Sequence, residues 1–200
     1  RPPSAMDAAC LYCGSLGEHS TGACTQRQMS VDFEAEGVSV LLGSHAARGG
    51  LPAYSPLDAV FVSPSGGRVF IGNIYAAESL EVLKQHSITH VVNCQDSNTK
   101  NFFPDEMSYL RFPVERWGHR QTSTNEEVLA YFEPVMKWID SAVSTPGQNV
   151  LIHCMAGAHR AGTVGVAYVM HASHLKLRDA LQAVRALRPA VDPYAHLLQL

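Results

Sequence analysis

Val150-Leu151-Ile152-His153-Cys154-Met155-Ala156-Gly157-Ala158-His159-Arg160-Ala161-Gly162-Thr163 passes from an apolar run into a cysteine, then through small residues to an arginine. The run Val150 to Ile152 has the composition of a buried strand. Beyond Arg160, the residues Val164, Gly165, Val166, Ala167, Val169 and Met170 are small or apolar on every side. That predicts a central helix buried all round, with Arg160 at its N-terminal end. A strand that turns through a short loop into a helix gathers backbone N–H groups and the positive end of a helix dipole around one point. The layout is an anion cradle with a sulfur nucleophile at its mouth.

The spacing suits phosphorus chemistry. A cysteine that attacks phosphorus acts as thiolate, and a helix N-terminus, converging N–H groups and a nearby cation all favour that form. Five residues separate Cys154 from Arg160, enough to curl a loop of Met155, Ala156, Gly157, Ala158 and His159 around phosphate oxygens. Gly157 permits a positive φ or a close backbone approach. Arg160 returns to the same phosphate, and its planar fork holds two oxygens where lysine offers a point charge. The competing reading is a core cysteine after a strand. It leaves Arg160 and the small-residue loop without a purpose.

This stretch resembles the signature of the cysteine-dependent dual-specificity phosphatases, a branch of the protein tyrosine phosphatase superfamily. The resemblance extends to Phe70-Ile71-Gly72-Asn73, Ile88-Thr89-His90-Val91-Val92-Asn93, Tyr131-Phe132 and Arg188-Pro189-Ala190-Val191-Asp192-Pro193 with Leu197-Leu198-Gln199-Leu200. It implies an α/β fold, a central and mostly parallel twisted sheet flanked by helices. It also implies that Cys154 forms a phosphocysteine while Arg160 and the N–H groups of Met155 to Arg160 hold the oxygens. Water then hydrolyses the intermediate, with no cofactor needed for catalysis.

Two positions depart from that pattern. Ala161 stands where the family carries a Ser or Thr whose hydroxyl helps sulfur leave, and Thr163 has the only nearby hydroxyl. Arg116 stands where the general-acid Asp is expected, and no Asp occurs between Asp105 and Asp140. Glu115 and His119 are the alternative proton donors in the same loop. Each also reads as an ordinary loop charge.

Composition sets the frame. The 200 residues are 46% hydrophobic and 16% charged with a net charge of −3, which describes a globular chain and argues against broad nucleic-acid or membrane electrostatics. Five cysteines fall at 10, 13, 24, 94 and 154. An odd count with a thiolate site favours a reducing compartment, cytoplasm or nucleus. Cys94, at a strand end, reads as core rather than as a resolving thiol.

Three segments are expected: 1–30, a connector over 31–58, and a catalytic domain over 59–200. In the first, Cys10, Cys13, His19 and Cys24 supply four ligands for a structural zinc, as in a zinc knuckle. Five residues separate Cys13 from His19, against four in the familiar spacing. The other readings are a tail with incidental cysteines or a Cys10–Cys13 redox pair. Knuckles often bind single-stranded nucleic acid, so this segment is a contact element for such a strand or for protein.

Within the catalytic segment, Val60-Phe61-Val62 and Arg68 to Ile71 flank Ser63-Pro64-Ser65-Gly66-Gly67, a hairpin. A helix is expected over Glu78 to His86 with Leu80 and Leu83 inward. Val91 and Val92 continue a buried strand, and Tyr109 to Phe112 form another. Residues 124 to 144 carry Val128, Phe132, Val135, Ile139 and Val143 on one face, with Thr124/Glu127 or Ser123/Glu126 as capping box. Leu177, Leu181, Val184 and Leu187 mark a last amphipathic helix before Pro189.

The leading reading is a phosphatase acting on phosphoserine, phosphothreonine or phosphotyrosine in proteins. The loop has no Lys, which superfamily members acting on inositol lipids often carry. The alternatives are a phosphate-binding pseudophosphatase or adaptor, suggested by Arg116 and Ala161, and a nucleic-acid-linked phosphatase, suggested by residues 1–30.

Overall fold

A computed structural model describes residues 55–96, 99–115 and 124–193. The expected zinc ligands, Arg116, His119, Ser123 and the closing Leu197–Leu200 lie outside the described residues. All described residues fall in one compact unit, Glu34–Leu200.

Among the described residues the sheet has five strands: β1 (Leu57–Val62), β2 (Arg68–Gly72), β3 (Ile88–Asn93), β4 (Ser108–Arg111) and β5 (Asn149–His153). Their order is β1-β2-β5-β3-β4. The β1–β2 hairpin is antiparallel, whereas β2–β5, β5–β3 and β3–β4 are parallel. The strand expected to lead into Cys154 is therefore the central one, and Val150, Leu151, Ile152 and His153 are all buried. A strand covered on both faces needs such a continuous apolar run.

Helices cover both faces, as alternating side chains require. On one side Phe70 and Leu151 share a cluster with Ala76 and Ala77 of α1 (Ile74–Glu78) and Leu83 of α2 (Leu80–Gln85). On the other, Ile71 presses against Gly165 of α4 (Arg160–Ser173), so closely that a Cβ there would lie 2.3 Å from its Cδ1. Gly165 lets this helix settle onto the sheet. Helix α3 (Asn125–Val143) begins at Thr124 with the expected capping box to Glu127. Helix α5 (Leu177–Leu187) packs beside α4 and buries Ala180, Ala183, Val184 and Leu187.

The helix expected over Glu78–His86 is Leu80–Gln85, and a separate short helix, Ile74–Glu78, precedes it. Asn73 caps α1 through Ala76 N–H at 3.0 Å, and Ser79 caps α2 through Val82 N–H at 3.3 Å. Ser79 is extended, with φ −104° and ψ 103°. A capping side chain that takes up free N–H groups starts a new helix rather than continuing the old one. The hairpin turn docks on the far end of α3, where Ser63 Oγ donates to the Val143 carbonyl at 2.8 Å. That satisfies a helix-end carbonyl with no intrahelical partner. Among the described residues, no helix is long and apolar enough to cross a membrane.

Candidate active site

The parallel strands end together around Cys154. Cys94 N–H donates to the His153 carbonyl at 2.9 Å, tying the end of β3 to the last residue of β5. Cys154 is 2% exposed, and the loop beyond it runs to Arg160, the first residue of α4. Met155 and Ala156 are exposed, while Gly157 is buried with φ +67°. Strand, loop and helix are arranged as the sequence predicts.

The loop's carbonyls are held from outside. Ile74 N–H donates to the Met155 carbonyl at 3.0 Å, and Asp192 N–H to the Ala158 carbonyl at 3.1 Å. Between them, Arg188 Nε–H donates to the Gly157 carbonyl at 3.0 Å. A trans peptide points its C=O and the following N–H in opposite directions, and the described chain has no cis peptide. Pinning these three carbonyls outward therefore turns the N–H groups of Ala156, Ala158 and His159 toward the hollow of the loop. Inward N–H groups beside a helix N-terminus suit an oxyanion.

Gly157 is needed for more than its φ. A Cβ at this position would lie 2.5 Å from the Gly72 carbonyl carbon and oxygen and 2.8 Å from Arg188 Nη2. The loop thus lies directly against the end of β2.

Arg160 is half-buried, and its Nη1 lies 3.3 Å from Glu115 Oε2. Glu115 reaches it from the turn after β4, anchored by Phe112 N–H to the Asn93 carbonyl at 2.9 Å and by buried Val114. Tyr131 of α3 donates its hydroxyl to the Pro113 carbonyl at 3.2 Å. Of the two proton-donor candidates, Glu115 is thus brought to the arginine, whereas His119 lies outside the described residues.

Three neighbours take definite roles. The His159 ring faces the backbone of the closing segment, where its Nδ1–H donates to the Asp192 carbonyl; the ring is turned to that carbonyl. The Thr163 hydroxyl donates to the His159 carbonyl at 2.9 Å, four residues back, as hydroxyls in helices commonly do. Ala161 is fully buried. His153 is also fully buried, and desolvation lowers its imidazole to a pKa of about 4, with the Arg111 charge adding. It is neutral at pH 7.

Burial pushes the Cys94 thiol well above its ordinary value, the Cys154 charge adds to this, and Arg160 partly offsets it. Cys94 is protonated and 1% exposed, in line with the core reading. Among the described residues, no group of three His, Cys, Asp or Glu side chains could hold a metal ion.

This fold and loop define a phosphatase domain of the cysteine type. The family profile "Dual specificity phosphatase, catalytic domain" matches residues 69–200. The chain belongs to that family.

Similar proteins include Arabidopsis thaliana dual specificity protein phosphatase 1, 33% identical over 131 residues, covering 66% of this chain and 62% of that protein. Drosophila melanogaster dual specificity protein phosphatase Mpk3 is 31% identical over 134 residues, covering 66% of this chain and 31% of that one. Among solved structures, human DUSP28 aligns at 28% identity with a TM-score of 0.58, over 75% of this chain and 95% of that chain. A mouse putative dual specificity phosphatase complexed with zinc tungstate aligns at 30% and 0.58, over 76% and 90%. The chain spans between about a third and under two thirds of the length of these curated relatives.

Proposed function

We propose that the chain hydrolyses phosphomonoesters on protein serine, threonine or tyrosine through a phosphocysteine. The observation that carries the reading is the loop itself, with Cys154 at the end of the central strand, Arg160 opening α4 and three carbonyls drawn outward. The Cys154 sulfur attacks phosphorus and the ester oxygen leaves. Arg160 and the N–H groups of Met155 to Arg160 bind the equatorial oxygens, where charge is spread in the transition state. Water then attacks the phosphocysteine, releasing phosphate and the thiolate. Every step uses side chains and backbone of the chain, and the family's cysteine chemistry needs no cofactor.

The leaving oxygen needs a proton, and Glu115 is the described residue best suited to give it. Its carboxylate pairs with Arg160 at 3.3 Å and is 43% exposed; an incoming phosphate that engages Arg160 releases it, and the proton it passes to the leaving oxygen is one it first takes up from solvent. Glu115→Gln is expected to slow hydrolysis of phosphoserine peptide by about 10²-fold and leave p-nitrophenyl phosphate within about threefold, since a good leaving group needs no acid. Equal losses on both would make Glu115 a tether for Arg160 instead. His119 would then be the donor to test.

Substrate class is tested by initial rates on phosphopeptides, a phosphoinositide in mixed micelles and 5′-phosphorylated RNA. Highest kcat/KM on phosphopeptides is expected, in keeping with a loop that has no Lys. Faster turnover of the lipid or RNA would overturn it.

In residues 1–30, Cys10, Cys13, His19 and Cys24 bind one structural zinc in our reading, and the segment serves as a contact element for protein or single-stranded nucleic acid. The support is the ligand chemistry, three thiolates and an imidazole. Metal analysis of the intact chain purified in zinc is expected to give about one zinc per chain, lost in Cys10→Ser/Cys13→Ser. A metal-free chain would remove the proposal. The reducing compartment this chemistry favours is the cytoplasm or nucleus.

A further inference from the structure

Arg188 is among the largest fully buried side chains, at 1% exposure. Its Nη1 donates to Asp58 Oδ2 at 2.6 Å and to the Ser55 carbonyl at 3.1 Å, and its Nε–H to the Gly157 carbonyl at 3.0 Å. Nη2 is buried without a hydrogen-bond partner among the described residues. It sits where a Gly157 Cβ would come within 2.8 Å. A buried guanidinium with an orphaned N–H group is costly, so the fork is placed for something other than stability alone.

We propose that Arg188 is a positioning residue for the phosphate loop. Its Nε–H draws the Gly157 carbonyl outward and so turns the Ala158 N–H of the same peptide into the hollow. The inference rests on the phosphatase reading of that loop.

This peptide carries fewer backbone restraints than its neighbours, because Gly157 lacks the Cβ that restricts φ elsewhere. The neighbouring carbonyls of Met155 and Ala158 are held by backbone N–H groups, which no side-chain substitution removes. Gly157 depends on Arg188 alone among the hydrogen bonds described. Asp58 balances the guanidinium charge, so its contribution to the loop is direction rather than net charge. A donor fixed before the reaction favours the transition state over bound phosphate, because developing charge gains most from preset dipoles.

Arg188→Lys separates positioning from the ion pair. Lysine keeps a cation for Asp58 but lacks the fork that reaches Gly157 as well. Two readouts are needed: kcat and KM on p-nitrophenyl phosphate, and the inorganic phosphate concentration that protects Cys154 from iodoacetate, followed by mass spectrometry of its peptide. The variant is expected to lose about 10²-fold in kcat and about tenfold in phosphate protection, with a cooperative melting transition. An ion pair with only a structural role predicts wild-type kcat and protection in a folded Arg188→Lys, and that result overturns the proposal.

If Arg188→Lys does not fold, Arg188→Met/Asp58→Asn removes both charges and leaves no unpaired buried ion. The same losses in that folded double variant support the proposal, and unchanged values overturn it. The protection assay needs no turnover. A wild-type chain that binds phosphate yet hydrolyses nothing would therefore fail the phosphatase reading while leaving this inference measurable.

Discussion

Cys154→Ser is expected to lower turnover of p-nitrophenyl phosphate by about 10⁴-fold or more, with little change in thermal stability. The two side chains differ by one atom, and Cys154 is nearly buried in a loop held by backbone hydrogen bonds, so the fold should persist. The loss is chemical. A serine hydroxyl stays protonated near neutral pH and needs a base beside it. The adjacent His153 does not serve, since burial lowers its imidazole to about 4. Steady-state kinetics and a melting curve check both halves. A serine variant within tenfold of wild type would mean that another group attacks phosphorus.

Gly157→Ala is the second large effect, with activity expected to fall by about 10²-fold or more and stability by about 1–3 kcal/mol. The added Cβ meets backbone atoms of Gly72 at 2.5 Å, which cannot rotate away, and the residue holds φ +67°. The loop has to shift, and displacement near the reacting atoms is costly to rate. Gly147→Ala serves as control. Gly147 has φ +79° with nothing within 4 Å of an added Cβ, so it isolates the backbone strain from the clash. Similar activity losses in both variants would show that the contact with Gly72 is not what fixes the loop.

The sequence was most readable where the physics is local. Hairpin, β5 and α3 follow from two β-rich runs flanking a turn-forming cluster, a continuous apolar run and a helical stripe with a capping box, all within short windows. Cys154 and Arg160 stand out for the same reason, because one strand-loop-helix unit holds both. The start of the Leu80–Gln85 helix is less legible: the apolar spacing of Leu80 and Leu83 marks the helix, but its boundary and the separate Ile74–Glu78 helix are set by the caps Ser79 and Asn73.

Arg188 was hidden for a different reason. Its partners Gly157, Asp58 and Ser55 lie 31, 130 and 133 residues away, and no periodicity links them. In the sequence Arg188 stands out only as the first residue of the closing segment that resembles the family, with no partner indicated. Only the topology, which brings the start of β1 and the segment after α5 to the same loop, shows otherwise. Glu115 was visible as a charge in the right loop, but its pairing with Arg160 required the turn after β4 to be placed.

The account centres on a covalent step at Cys154, and rapid acid quenching of wild-type chain with phosphorylated substrate, followed by peptide mass spectrometry, tests it most directly. One phosphoryl group on the Cys154 peptide is expected, formed within the first turnover and absent from Cys154→Ser. Steady turnover with no phosphoryl group on Cys154 at any quench time, or with the group on another residue, would contradict it.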